Sequence, residues 1–563
     1  MTETPARPRT AVDAIADDFV ARYAALDPIL ATELGIGGHD DAMTDLSPAG
    51  HAARADLIRA TLAQVAATPP ADGVDEVTVA AMTHTLGTDL ALHEAGENER
   101  TLNNIASPLQ GLRDVFDLMA TDTVQDWAVI AARLHALPAA MDGYVESLRA
   151  AAARGHLPAL RQVAEGVRQA DELADPASSF FTTFVAGAPE ATNDALRHDL
   201  AQEARGAAAA YGRLAAVLRE IAPHAPEHDA VGRERYALLS RAFLGASVDL
   251  DETYAWGLDE LERVTAEQAA LARVVAGGDA DVATAVAVLD GDPARQLHGT
   301  TELQEWMQRT SDAAVAALDG VHFDIPAPLH RLECRIAPTA TGGIYYTGPS
   351  DDLSRPGRMW WSVPPDVTTF TTWRETTTVY HEGVPGHHLQ VGTAVLNRAD
   401  LNDWRRLMSW TSGHGEGWAL YAERLMADLG FLDDPGVRLG MLDGQVMRAA
   451  RVVFDLGVHL GLTAPQRWGG GTWDADSGWQ LLAAHLHQAE PFVRFEWLRY
   501  LGWPGQAPSY KVGQRLWEQA RDAARAAARA RGEVFDLRAF HARALRLGAL
   551  PLDVLTQALT TTR

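Results

Sequence analysis

Along the first 220 residues, apolar positions recur every three to four places. The segments AVDAIADDFVARYAAL, HAARADLIRATLAQVAA, VQDWAVIAARLHALPAAMDGYVESLRAAAARG and NDALRHDLAQEARGAAAAYGRLAAVLREI each carry an apolar stripe at i, i+3, i+4 and i+7. That period predicts a succession of amphipathic helices. Asp or Thr precedes several of the starts and Pro or Gly follows the ends, as helix caps require. The prolines of APHAPEHD (222–229) interrupt the series, and the helical pattern returns over 254–275 and 303–318. No repeat of fixed period runs through it, which argues against a solenoid.

Between about 321 and 370 the texture changes. RLECRIAPTA, GGIYYTG and GRMWWSV are short β-leaning runs separated by Pro, Gly, Ser and Asp. They predict a small sheet inside an otherwise helical protein. The helical pattern resumes at Trp373 and continues with interruptions to the end. QARDAARAAARARG has high helix propensity and opposed charges, the mark of an exposed helix.

Composition narrows the classes. At 563 residues, 47% hydrophobic and 22% charged, the chain has ample apolar content for a folded core. Cys334 is the only cysteine, so no internal disulfide forms. No run approaches the roughly 18–20 apolar residues that span a bilayer, and MTETPARPRT lacks the apolar core of a signal peptide. A cytoplasmic protein is the expectation. The net charge of -27 makes nucleic acids and anionic membrane surfaces poor partners. Of 48 lysine and arginine residues, only Lys511 is lysine. A coding bias toward arginine explains most of that pattern but not the surviving lysine, which marks Lys511 as a candidate where a compact ammonium is needed.

The chemistry concentrates in TTTVYHEGVPGHHLQ. A His-Glu pair, His381 and Glu382, followed closely by His387 and His388, resembles the helical zinc-peptidase signature. The usual second ligand stands at i+4, one turn on, where this chain has Pro385. In an unbroken helix His388 is only about 20° off the face of His381 but about 10 Å farther along the axis. A bulge or kink at Pro385–Gly386 would instead bring His387 round, and proline predicts such a distortion. His387 is favoured and His388 is the competing choice.

HEGVPGHHLQ, followed by HGEGWALYAE (414–423) and RYLGWPGQAPSYKVG (499–513), resembles the bacterial family catalogued as domain of unknown function 885, over most of the chain. That family is grouped with gluzincin-type metallopeptidases, whose helical members include carboxypeptidase Taq, angiotensin-converting enzyme and the oligopeptidases. Those relatives carry His-Glu-x-Gly-His, and dipeptidyl peptidase III has one residue more. This chain has two more, with Gly386 still directly before His387. The resemblance implies one Zn2+ per chain, held by His381, His387 and a glutamate from the next helix, with Glu382 as general base. Glu416 is the ligand it carries over. Glu423, seven residues on and on the same face, is the alternative, or else orients a ligand imidazole.

Further candidates surround this set. His414 shares the helix mouth with Glu416 and could donate to a developing oxyanion. In the third block Arg499, Tyr500, Gln506, Tyr510 and Lys511 cluster around a Pro-Gly turn and suit a substrate's terminal carboxylate. The helical carboxydipeptidases use a lysine and a tyrosine for that purpose. Gly342–Tyr346 suits an edge strand along which a peptide could lie, with Tyr345 or Tyr346 offering a phenol.

The expected fold is mostly α: a helical two-lobed metallopeptidase with a deep cleft and a small β-sheet beside the active-site helix. Residues 1–320 would form one cleft wall and 321–563 the catalytic part. The expected activity is zinc-dependent hydrolysis of peptide bonds in short peptides, as a carboxypeptidase or oligopeptidase. A zinc amidase acting on a non-peptide amide and a binding protein with a relict metal motif are the alternatives.

Overall fold

The computed structural model describes residues 7–176, 179–337, 343–351, 353–364 and 366–560. The predicted helices form, among them Ala11–Leu26, Pro48–Ala67, Val124–Ala153 and Asp194–Ile221. Their starts are fixed by the polar residues that precede them. Thr10 and Thr123 close capping boxes with Asp13 and Asp126, and Ser47 and Asn193 accept from backbone N–H groups of the first turn. The Ala/Arg-rich stretch is the outer end of the Ser509–Ala530 helix and is largely exposed. None of the described helices is long and apolar enough to cross a membrane.

The helices bury two main cores. One lies within the 102–221 bundle, around Trp127, Ile130, Leu134, Tyr211 and Leu214. The larger one draws on Phe19, Leu57, Leu261 and Leu318 as well as Trp418, Val446, Trp517 and Leu555. It therefore crosses residue 320, and helices from both sides of that point pack into one body.

All three β-leaning runs become strands. Leu332–Ile336 (β2), Ile344–Thr347 (β3) and Gly357–Trp361 (β4) form a sheet of order β2-β4-β3, with β2 parallel and β3 antiparallel to β4. β3 is thus an edge strand, as expected of the Tyr345–Tyr346 run; Gly342 lies outside the described residues. A second, two-stranded ribbon pairs Gln296–His298 (β1) with Thr369–Thr371 (β5), and was not anticipated. The three-stranded sheet is pinned beside the Thr372–Glu382 helix, because Leu332, Cys334 and Met359 share a small core with Val379.

Candidate metal centre

The His-Glu segment solves its spacing problem by breaking. The Thr372–Glu382 helix ends where Gly383 N–H bonds to Val379 O, and a new helix starts at His387 and runs to Leu396. Across the break Gly386 N–H bonds to Tyr380 O at 3.1 Å, and the Val384–Pro385 peptide is cis. Gly386 passes so close to the first helix that a Cβ there would sit 1.9 Å from the carbonyl oxygen of His381. Only glycine fits. Trp418 fixes the turn from the next helix by donating its Nε1–H to Pro385 O at 2.9 Å.

This turn delivers His387 to His381. Their rings stand perpendicular, 4.9 Å apart between centroids. The Ser412–Asp428 helix brings Glu416, whose Oε2 lies 3.3 Å from His381 Nε2 and 3.7 Å from His387 Nε2. One ligand atom from each of the three lies within 4.8 Å of the others. On its other side that helix packs tightly on the Ser509–Ala530 helix, where a Cβ on Gly417 would strike the backbone of Gly513, at 2.5 Å.

The neighbours complete the arrangement. Glu423, two turns beyond Glu416, receives His381 Nδ1–H at 2.8 Å and the hydroxyl of Thr377 at 3.0 Å. It therefore orients the imidazole and leaves Nε2 facing Glu416, and is not itself in the cluster. His388 is excluded as a ligand. Its Nε2–H donates to Leu329 O at 3.0 Å and its Nδ1 receives the Tyr346 hydroxyl at 2.9 Å, so both nitrogens are engaged. Burial pushes its pKa down to about 4, keeping it neutral.

The electrostatics of the cluster follow from its burial and its charges. Burial alone would raise the Glu416 carboxyl, but hydrogen bonds from His381 and His387 hold it well below the usual range. Burial likewise opposes a proton on His381, yet Glu416, Glu423 and Glu382 outweigh it and raise the imidazole to about 10. For Glu382 burial wins over the pull of His387 and His381, and its carboxyl is pushed up. Three carboxylates converge on two imidazoles in a site where His381 is 5% and Glu382 7% exposed. A divalent cation matches that excess of negative charge. Ligands about 2.0–2.1 Å from a tetrahedral ion lie about 3.3–3.4 Å from one another; the His381–Glu416 separation of 3.3 Å matches that and the His387–Glu416 separation of 3.7 Å is longer.

A family profile described as "Bacterial protein of unknown function (DUF885)" matches residues 28–559. The chain belongs to this family. Two solved structures share the DUF885 chain's fold. One, described as a "putative lipoprotein" from Colwellia psychrerythraea, has 21% identity over 97% of this chain and 98% of its own, with a TM-score of 0.83. The other, described as a "putative lipoprotein of unknown function" from Shewanella oneidensis, has 15% identity over 98% and 99% of the two chains, with a TM-score of 0.73. No curated protein matches the sequence.

In this DUF885 chain the remaining candidates divide. Lys511 is not free for a ligand. Its ammonium meets Gln445 Oε1 at 2.5 Å, Gln514 Oε1 at 3.0 Å and Glu260 at 2.9 Å, which uses its three donors. Tyr500 is fully buried, receiving Arg451 Nε–H at 2.6 Å and donating to Glu496. Gln506 receives Arg499 Nη2–H at 2.6 Å. His414 packs against Trp517 and takes Gln390 Nε2–H on its Nδ1 at 3.0 Å, and burial drives its pKa down to about 3, so the ring is neutral with its proton on Nε2. Tyr346 spends its phenol proton on His388, and Tyr345 stacks on Trp360 at the sheet surface.

Tyr510 is close enough to the cluster to feel the charge of Glu416. Burial raises its phenol first, the Glu416 charge raises it further, and Arg499, hydrogen-bonded to it, pulls it back. Sequence reasoning passed over Arg448 and Arg451, both on the Pro435–Leu460 helix. The available signal was the spacing of Gln445, Arg448 and Arg451 in QVMRAAR (445–451), directly before the largely apolar run VVFDLGVHL.

Proposed function

We propose that the protein is a zinc-dependent hydrolase of peptide bonds in short peptides, a gluzincin-like metallopeptidase working in a cleft between helical lobes. The observation that carries this reading is the meeting of His381, His387 and Glu416 around one point, with Glu382 beside them. His381, His387 and Glu416 would hold the ion and Glu423 would keep the His381 ring in place. When bound, zinc supplies a Lewis acid that brings the pKa of water toward about 7 and polarises a carbonyl. Glu382 takes the proton of the attacking water and passes it to the leaving nitrogen. Its buried carboxyl, pushed up in pKa, suits a group that must hold a proton between those two steps. The depth of the site favours an extended or short substrate, since a folded protein cannot present a bond to side chains more than nine-tenths buried.

The test is hydrolysis of a mixed set of short peptides by the purified protein, before and after a chelator, with Glu382→Gln alongside. The expected result is chelator-sensitive cleavage, restored by zinc. In Glu382→Gln the metal should stay and turnover should fall about 10²–10⁴-fold. Unchanged turnover in that variant, or cleavage indifferent to the chelator, would refute the reading.

A further inference from the structure

The turn of the third sequence block, around Trp503 and Pro504, takes no part in the metal centre. With Gly502 these two residues wall a cavity of about 800 Å³. None of the residues lining it belongs to the His381–His387–Glu416 cluster or is one of its neighbours Glu382 and Glu423. The cavity lies where the two cores meet. Leu102 and Leu157 line it from the 102–221 bundle, and Val231 and Leu501 from the larger core. Small-molecule sites occur preferentially at such junctions.

Three polar groups on its walls have nothing to pair with. Among the described residues, Arg100 Nε, Gln162 Oε1 and Asp229 Oδ1 are buried without a hydrogen-bond partner. Gln162 is 2% and Asp229 8% exposed. Native proteins leave few such groups unmatched, and these three share one cavity. The turn holds Gln162 in place. Leu498 O receives its Nε2–H at 2.9 Å, and a Cβ on Gly502 would lie 2.6 Å from that nitrogen. The turn is fixed in its own right, since Gly505 N–H bonds to the Asp455 carboxylate at 2.8 Å.

The charges are unmatched as well. Arg100 and Arg235 share one carboxylate, Glu97, at 2.7 and 2.8 Å, and neither has another ionic partner among the described residues. Burial and the charge of Arg235 lower the Arg100 pKa more than Glu97 restores it. Asp229 is in the opposite position. Its ionic partner, Arg161 Nε, stands 3.5 Å from Oδ1, and burial outweighs that partner and pushes the carboxyl up. Water in the cavity would meet the hydrogen bonds but not the charges. The remaining wall is apolar, with the rings of Phe243 and Trp503 edge to face at 5.5 Å beside Leu239.

We propose that this cavity binds a free α-amino acid with a large apolar side chain. A carboxylate answers the guanidinium that Glu97 leaves over, and an ammonium answers Asp229 Oδ1 and Gln162 Oε1. The side chain lies against Phe243 and Trp503. An α-amino acid is the smallest molecule that carries all three groups, and once bound it bridges the two cores. The site is separate from the metal cluster, so it stands or falls apart from the peptidase reading.

The test is calorimetric titration of the purified protein with three compounds: phenylalanine, phenylalaninamide, which lacks the carboxylate, and 3-phenylpropanoate, which lacks the ammonium. Phenylalanine should bind, and each analogue about 10- to 150-fold more weakly, the range of a charge-assisted hydrogen bond. Arg235→Gln, at a part-exposed position, leaves Arg100 and Glu97 balanced. It should weaken phenylalanine about tenfold and leave phenylalaninamide unchanged. Asp229→Asn should weaken phenylalanine to a similar extent and leave 3-phenylpropanoate unchanged. A general loss of folding cannot produce this crossed pattern, and each variant is read alone, so one that fails to fold leaves the other to decide. No binding of phenylalanine, equal binding of all three compounds, or an affinity untouched in both variants overturns the site. The last result would assign the binding to the metal cluster instead.

Discussion

Two buried polar clusters are balanced differently: one around Lys511, from the Leu250–Ala276, Pro435–Leu460 and Ser509–Ala530 helices, and one around His381, from the Thr372–Glu382, His387–Leu396 and Ser412–Asp428 helices. Each of the three Lys511 ammonium donors has an acceptor, and Glu260, its ionic partner, is also held by Arg263 at 2.7 Å. Around His381 three carboxylates crowd two imidazoles, and His387 Nδ1 has no hydrogen-bond partner among the described residues. Both clusters bury charge. Only the second has a charge left over. Burial of an ionisable group is thus a weak sign of function, since structural ion pairs bury charge too. The unbalanced remainder is the stronger sign.

The sharpest way to break this contrast is to remove a ligand. His387→Ala should take the metal content of the purified protein from close to one zinc per chain to near none. His388→Ala should leave it in place, because that ring bonds to Leu329 O and the Tyr346 hydroxyl, away from the cluster. Elemental analysis of the two variants decides the matter. Zinc lost from His388→Ala and kept in His387→Ala would mean that the break at Gly386 has been misread.

A smaller effect is expected one shell out. Glu423 holds His381 through Nδ1 and is itself held by Thr377. Partners of this kind are worth about 10- to 100-fold in metal affinity or activity. Glu423→Gln keeps the shape but loses the charge, so competition against a chelator dye should show zinc bound about 10- to 100-fold more weakly. An unchanged zinc affinity would show that the carboxylate balances charge without positioning the ring.

The same contrast explains what could be read in the sequence. Long helices declare themselves through period and caps, and GGIYYTG and GRMWWSV are long enough in β-branched and aromatic residues to predict β3 and β4. The β1–β5 ribbon uses QLH and TFT, three residues each, too short for any alternation. His387 was legible over His388 because Gly386 precedes it, and the structure supplies the reason in the close passage over His381. The third block was legible only in part. Tyr510 is close enough to Glu416 to feel its charge, but Lys511 and Tyr500 are committed to partners on helices far away in sequence, Glu260 and Arg451. Rarity of a residue type carries no information about such partners. Arg448 and Arg451 were hidden for the opposite reason, since in this chain almost every basic residue is arginine.

Lys511 gives the gentlest and most discriminating test. If its cluster is scaffold, Lys511→Met should leave zinc content and peptide turnover unchanged, while lowering stability. Breaking a buried pair usually costs about 3–5 kcal/mol, because the partner's charge is left uncompensated. Here Arg263 still holds Glu260 through both Nε and Nη2 at 2.7 Å, so no bare carboxylate remains. The loss reduces to the hydrogen bonds of Gln445 and Gln514, about 1–3 kcal/mol, read as a shift in the urea midpoint at constant slope. Adding Glu260→Gln should change little more, since the pair is then removed whole and Arg263 faces solvent on its other side. A loss of peptide turnover in Lys511→Met with stability and zinc content unchanged would reverse the comparison. The lysine would then belong to the substrate site, and its three hydrogen bonds to the resting state of that site.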